Sequence, residues 1–174
     1  MKQNIKNLSV ILIDMQEFFL QRLTPRVRKE LLNNQKKVID WAKNNRIPVF
    51  VTEYSSGNQN RGEIIPIFKK RIRNLKSYKI IKLQNGGFTN TELNNLLKEH
   101  GVKRILLLGV NANGCVQDTA IGALHRGYKV LTSEGVIANV YRKDLLLSTR
   151  NKNWYRSNTT FFDSPEKLLA YLKD

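Results

Sequence analysis

The chain has 174 residues, enough for one domain with a sizeable core, and its single cysteine, Cys115, excludes an internal disulfide. No apolar run approaches the roughly 20 residues that cross a bilayer. Residues 1–8 are polar and lack the apolar stretch and small-residue cleavage site of a secretory leader, so a cytoplasmic protein is expected. Lys and Arg number 30 against 14 Asp and Glu, a formal charge of +16, and such a field draws polyanions. The basic residues lack the aromatic interleaving of single-strand platforms, however, and no helix-turn-helix, zinc-finger or RNP pattern is present. A solvated, lysine-rich surface is the favoured reading and nucleic acid the disfavoured one.

Leu8–Ile13 is a continuous apolar run that stops at Asp14, the pattern of a central parallel strand with a carboxylate at its carboxyl end. Residues 15–19 read as a loop. Pro25 then opens an amphipathic helix to Asn44 with Val27, Leu31, Leu32, Val38, Ile39, Trp41 and Ala42 as its apolar stripe. Residues 47–52 form the second strand, and its proline sits near the start, where a ladder tolerates one. Residues 53–62 are polar and read as a loop.

A short helix over 64–75 follows. From Ile64 to Thr91 there is no acidic residue, while Lys69, Lys70, Arg71, Arg73, Lys76, Lys79 and Lys82 make the densest basic block; it either steers an anionic substrate or forms a solvated face. Residues 78–82 are the third strand. Thr89-Asn90-Thr91-Glu92 has capping-box spacing and opens a helix to His100-Gly101.

Arg104 to Leu108 is the fourth strand. It runs through Gly109-Val110-Asn111-Ala112-Asn113-Gly114 into a helix from Cys115 to Arg126. A cysteine there meets unpaired backbone N–H groups and the positive end of the helix dipole, both of which favour thiolate. The same N–H groups can receive a substrate oxyanion, although a lone cysteine is usually a small buried hydrophobe. Residues 128–132 read as the fifth strand, 134–138 as a loop, 141–149 as a helix, 150–158 as polar chain and 159–162 as a sixth strand. Ser164-Pro165-Glu166 opens a last helix to Leu172.

Strands alternating with helices at this spacing imply a Rossmann-like α/β/α sandwich of three layers, with a mainly parallel, six-stranded sheet and one domain over residues 1–174. In such a sheet the carboxyl ends of all strands share one edge. Asp14 follows the first strand, Lys82 ends the third and Cys115 follows the fourth. If those strands lie close together, an acid, a cation and a thiol converge. Each alone has a plainer role: a turn cap, a solvent lysine, a core cysteine.

Three segments resemble the isochorismatase-like family of cysteine hydrolases, over nearly the whole chain. They are Asp14-Met15-Gln16 with Phe19; Lys82 with Phe88, Thr91 and Leu93; and Gly109-Val110 through Cys115-Val116, Thr119-Ala120, Ala123 and Gly127-Tyr128. The resemblance implies a catalytic Asp14-Lys82-Cys115 triad and a cis peptide between Val110 and Asn111. It also implies an oxyanion hole from the Asn111 and Cys115 N–H groups, and a homo-oligomer acting on a small molecule. Gln16, Phe19, Tyr54 and Phe88 are candidate substrate-pocket residues.

Ala112 stands where members commonly carry Thr or Ser. The Asp and histidines that hold a metal in the nicotinamidase branch are replaced by Glu53-Tyr54-Ser55-Ser56, and His100 and His125 lie at or near helix C-termini, so neither metal nor cofactor is expected. Isochorismatases proper, which cleave a vinyl ether, usually lack the cysteine, so Cys115 points to an amide or carbamoyl substrate. Two readings stand beside this: a non-catalytic binding protein on the same scaffold, for nucleic acid or another polyanion, and a hydrolase of an ether-like bond.

Overall fold

A computed structural model describes residues 5–55, 61–141 and 146–173. In chain order the elements are β1 (Leu8–Ile13), α1 (Glu17–Leu20), α2 (Pro25–Asn44), β2 (Val49–Tyr54), α3 (Pro66–Ile72), β3 (Ser77–Lys82) and α4 (Leu93–Glu99). They continue with β4 (Arg104–Val110), α5 (Cys115–Leu124), β5 (Lys129–Ser133), β6 (Ile137–Ala138), α6 (Thr149–Asn158), β7 (Thr160–Phe162) and α7 (Pro165–Lys173). β1 is buried at every position and β4 at all but its first. Their unbroken apolar sequence is what a strand covered on both faces requires.

The sheet runs β3-β2-β1-β4-β5-β7, with β6 beside β4, and each pairing is parallel. The chain moves outward from β1 to β3, then returns to β4 and proceeds the other way. The topological switch point therefore lies between β1 and β4, where Asp14 and the turn before α5 emerge together. Along the β1–β4 seam, Ile13 lies opposite Gly109. Gly109 has φ 141°, and a Cβ there would overlap the Ile13 carbonyl, so only glycine lets β4 end this close to β1.

α2 starts where Pro25 supplies its first turn and Thr24 Oγ1 accepts the Val27 N–H at 3.4 Å. Its buried stripe is Val27, Leu31, Val38, Ile39 and Ala42, with Leu32 and Trp41 half-buried at its margin. The stripe also takes in Gln35, whose side-chain amide donates to Val136 O at 2.8 Å.

Several elements differ from the sequence expectation. The sheet has a seventh strand, β6, in the expected loop; two residues are too few to show a period. β2 runs on through Tyr54 where a loop was expected, α1 occupies another expected loop, and α3 is shorter than the 64–75 span. The capping box is not formed. Glu92 itself is the N-cap of α4, while Thr91 Oγ1 accepts the Leu93 N–H at 3.3 Å and donates to Gly87 O.

Of the helix expected over 141–149, residues 142–145 lie outside the described residues. The helix in this region is α6, in the stretch taken as polar chain. It is started by Ser148, whose Oγ accepts the Asn151 N–H at 3.3 Å, and is anchored in the core by Asn151 and Tyr155. A helix with so few inward positions leaves little apolar signal.

Replacing Gly109 with Ala should lower the unfolding free energy by about 3 kcal/mol, because strain and overlap add. Gly101→Ala, at φ 60° in open space, should cost about 1 kcal/mol. Urea denaturation of both variants measures the difference.

Candidate active site

Asp14 leaves β1 with φ 53°, in the left-handed region, and is wholly buried. Its Oδ2 lies 2.7 Å from Lys82 Nζ, and both side chains are sealed from solvent, at 1% and 0% exposure. Its Oδ1 accepts the Thr52 hydroxyl at 3.0 Å. The order of the sheet places β2 between β1 and β3, so the lysine reaches across the end of an intervening strand. That span suits the longest unbranched cationic side chain. Tyr54, at the end of that strand, presents its ring 4.4 Å from the ammonium. The remaining Lys82 donors meet Gln84 O at 3.1 Å and Asn85 O at 3.0 Å.

Cys115 opens α5 and is 4% exposed. Its thiol lies close enough to Asp14 and Lys82 for both charges to act on it, and it reaches Asn85 Oδ1 at 3.8 Å. The acid, amine and thiol expected at one edge of the sheet therefore meet. The expected bias toward thiolate does not hold. Burial and the nearby Asp14 carboxylate push the thiol up to about 12, Lys82 opposing. Burial likewise raises the proton affinity of Asp14, against the pull of Lys82, the thiol and Thr52. Burial and the neighbouring carboxylate both favour the protonated thiol over the thiolate.

The turn before α5 is built by hydrogen bonds. Gly114 N–H and Val116 N–H both donate to Asn111 O, Ala112 N–H donates to Ala138 O, and Asn111 Oδ1 accepts the Val140 N–H at 3.1 Å. The buried Tyr155 hydroxyl donates to Ala112 O at 2.6 Å. The Asn111 and Cys115 N–H groups are not among the donors these bonds use. The peptide bond between Val110 and Asn111 is cis. Thr119 Oγ1 donates to Cys115 O at 2.6 Å and accepts the Gly87 N–H at 2.9 Å, tying α5 to the loop after β3.

The candidate pocket residues divide. Tyr54 stands over the Lys82 ammonium, and Phe19 packs edge-to-face against Tyr54 at 6.2 Å. Gln16 does not face a substrate: its amide donates to Tyr54 O and Gly62 O, and its carbonyl accepts the Tyr54 N–H at 2.8 Å. Phe88 is packed away from the thiol, stacked on Tyr128 at 5.9 Å and pressed against Gly122 of α5.

A cavity of about 520 Å³ opens beside the site, bordered by Tyr54, Gln84, Asn85, Thr89, Asp118 and Ile121. A second, of about 920 Å³, adjoins the α5 turn at Asn113, Gln117 and Asn139. Thr52, Asn85 and Tyr155 are partners that sequence reading missed, and Thr119 was read only as part of the family-like segment, with no contact assigned. Only Asn85, in an Asn-Gly turn directly after the third strand, carried a local signal.

The donor set does not suit a nicotinamidase-type metal. Glu53 is engaged by Lys79 at 2.8 Å and by the Ile64 N–H at 2.9 Å. The His100 ring packs on Tyr78 near the opposite edge of the sheet. Among the described residues no three His, Cys, Asp or Glu side chains gather around a possible ion.

The model of the isochorismatase domain family matches residues 9–138. A stretch of 85 residues is 25% identical to an uncharacterized isochorismatase family protein, PncA, of Bacillus subtilis; it covers 49% of this chain and 46% of that one. Nicotinamidase 3 of Arabidopsis thaliana is 26% identical over 153 residues, covering 78% of this chain and 75% of the relative. In structure, N-carbamoylsarcosine amidase from Thermoplasma acidophilum superposes with a TM-score of 0.74 at 21% identity, covering 88% of this chain and 94% of that one.

Alkylation of Cys115 by iodoacetamide, followed by mass spectrometry, should accelerate steadily between about pH 7 and pH 10 without a plateau, because thiolate is the minor form throughout. Lys82→Met should lower stability by about 3–5 kcal/mol in urea unfolding, since it strands a buried carboxylate.

Proposed function

Because the chain belongs to the isochorismatase family of hydrolases, we propose that it is a metal-independent cysteine amidohydrolase, one domain over residues 1–174, acting on a small amide or carbamoyl compound. The observation that carries this reading is the sealed Asp14–Lys82 ion pair beside the buried Cys115 thiol at the switch point. The similarity to Nicotinamidase 3 and to N-carbamoylsarcosine amidase supports cleavage of a C–N bond.

In this mechanism the substrate carbonyl sits against the Asn111 and Cys115 N–H groups. Sulfur attacks the carbonyl carbon as its proton passes to Asp14, so thiolate forms only with a carbon to bond. A raised Asp14 proton affinity makes that transfer feasible, and Lys82 keeps the local charge balanced as the proton moves. Asp14 returns the proton to the nitrogen as the C–N bond breaks, leaving a thioester and a free amine or ammonia. The carboxylate then takes a proton from water, hydroxide adds to the thioester, and collapse releases the acid with the sulfur reprotonated. Phe19 and Tyr54 exclude water above the pair. A cytoplasmic homo-oligomer is part of the same reading. The ether-cleaving alternative has no use for the thiol.

Ammonia release from a panel of small primary amides and N-carbamoyl compounds tests the proposal. Cys115→Ala should abolish turnover while the melting temperature holds, and Asp14→Asn should lower kcat by on the order of 10²–10⁴. A thioester adduct on Cys115 should appear by mass spectrometry in the wild type with a slow substrate. Undiminished turnover by Cys115→Ala would overturn the mechanism.

A further inference from the structure

The positive charge is not spread evenly. The block that looks densest in sequence is partly neutralised: Lys69 pairs with Glu63, Arg71 with Asp40, Lys79 with Glu53 and Glu63, and Lys82 with Asp14. A separate group of cations lies at the amino-terminal edge of the sheet. Lys6, Lys98, Lys103, Arg126 and Lys129 surround a depression of about 550 Å³ with Asn7, Val102 and Tyr128, and no Asp or Glu lines it. Arg104 joins them, its guanidinium donating to Tyr171 Oη at 2.9 Å.

The topology aligns these charges. Lys6, Lys103 and Lys129 come at or just before the starts of β1, β4 and β5, which are adjacent in the sheet, and Arg46 and Lys76 precede β2 and β3 on the other side. At the usual spacing of strands, this row spans about 20 Å. Some of these cations answer the negative ends of helices that finish at the same edge: Arg126 donates to Gly122 O at 2.9 Å in the last turn of α5. Lys6, Lys103 and Lys129 have no such duty, since each leads into a strand. Glu99, at the end of α4, is an opposing charge on this edge.

From this row we infer a binding site for the phosphate backbone of a nucleic-acid duplex, held without base readout at the edge of the sheet opposite Cys115. A line of exposed cations along a shallow depression fits a linear polyanion. Tyr128 is buried, so the depression offers no stacking surface for bases. A membrane fits less well: the large exposed apolar side chains among the described residues, Ile81, Leu83 and Tyr141, lie at or beyond the carboxyl ends of strands, so this edge has no apolar anchor. The inference is independent of the hydrolase reading.

The test is fluorescence anisotropy of a labelled 20-base-pair DNA of mixed sequence with the whole protein, titrated over a range of KCl. Five phosphate contacts predict a log–log salt slope of about −4.5. The triple variant Lys6→Glu, Lys103→Glu, Lys129→Glu should weaken binding at least about tenfold and flatten the slope by about 3, with its melting temperature unchanged.

A control of equal charge change elsewhere, Lys29→Glu, Lys70→Glu, Arg150→Glu, should bind nearly as the wild type does. Equal loss in both triples would show attraction by net charge alone and overturn the site. So would no binding at low salt, or equal binding to phosphatidylserine vesicles.

Discussion

One buried ion pair organises this molecule. Asp14 and Lys82 lie 2.7 Å apart with essentially no solvent contact, and removing two charges from water is expensive unless every donor and acceptor finds a partner. Here nearly all do. Thr52 serves one carboxylate oxygen, two backbone carbonyls take lysine protons, and the tyrosine face covers the ammonium. Those partners come from the ends of β1, β2 and β3 and from the loop beyond, so the pair is as well placed as the sheet is rigid. The proton affinity of the thiol is set by burial and by this pair.

This site marks where sequence reading succeeded and where it stopped. The sequence pattern located six of the seven strands, and their order along the chain placed Asp14, Lys82 and Cys115 at one edge, because parallel strands share an edge whatever their neighbours. Strand adjacency was not legible: Lys82 comes from two strands away and meets Asp14 only through its length. Nor was side-chain direction. Gln16 and Phe88 occupy the right loops, but one is turned onto the backbone of Tyr54 and Gly62 and the other onto Tyr128 and Gly122. The proton affinity of Cys115 was misjudged because depth of burial, the larger effect, has no local signature, whereas a helix start does. β6 and α6 escaped for a similar reason, one too short and the other too polar to show a period.

The two edges of the sheet divide the charge of the protein between them. At the carboxyl edge the two charges nearest the thiol, Asp14 and Lys82, are paired with each other and sealed from solvent. At the amino edge the strands begin with cations facing water. The same parallel topology produces both, since it sends every strand start one way and every strand end the other.

Thr119 has a mechanical consequence. By bonding Cys115 O and the Gly87 N–H at once, it clamps the first turn of α5 to the loop whose Gln84 and Asn85 carbonyls hold Lys82. Thiol, cation and carboxylate are therefore held as one block, a wall with little room to yield. Adjustment to shape falls on the facing wall, where Tyr54, Phe19 and Phe18 touch through ring edges and the Arg61 guanidinium lies against all three. Divergence in what such a protein accepts should accumulate on that aromatic side and leave the clamped side unaltered.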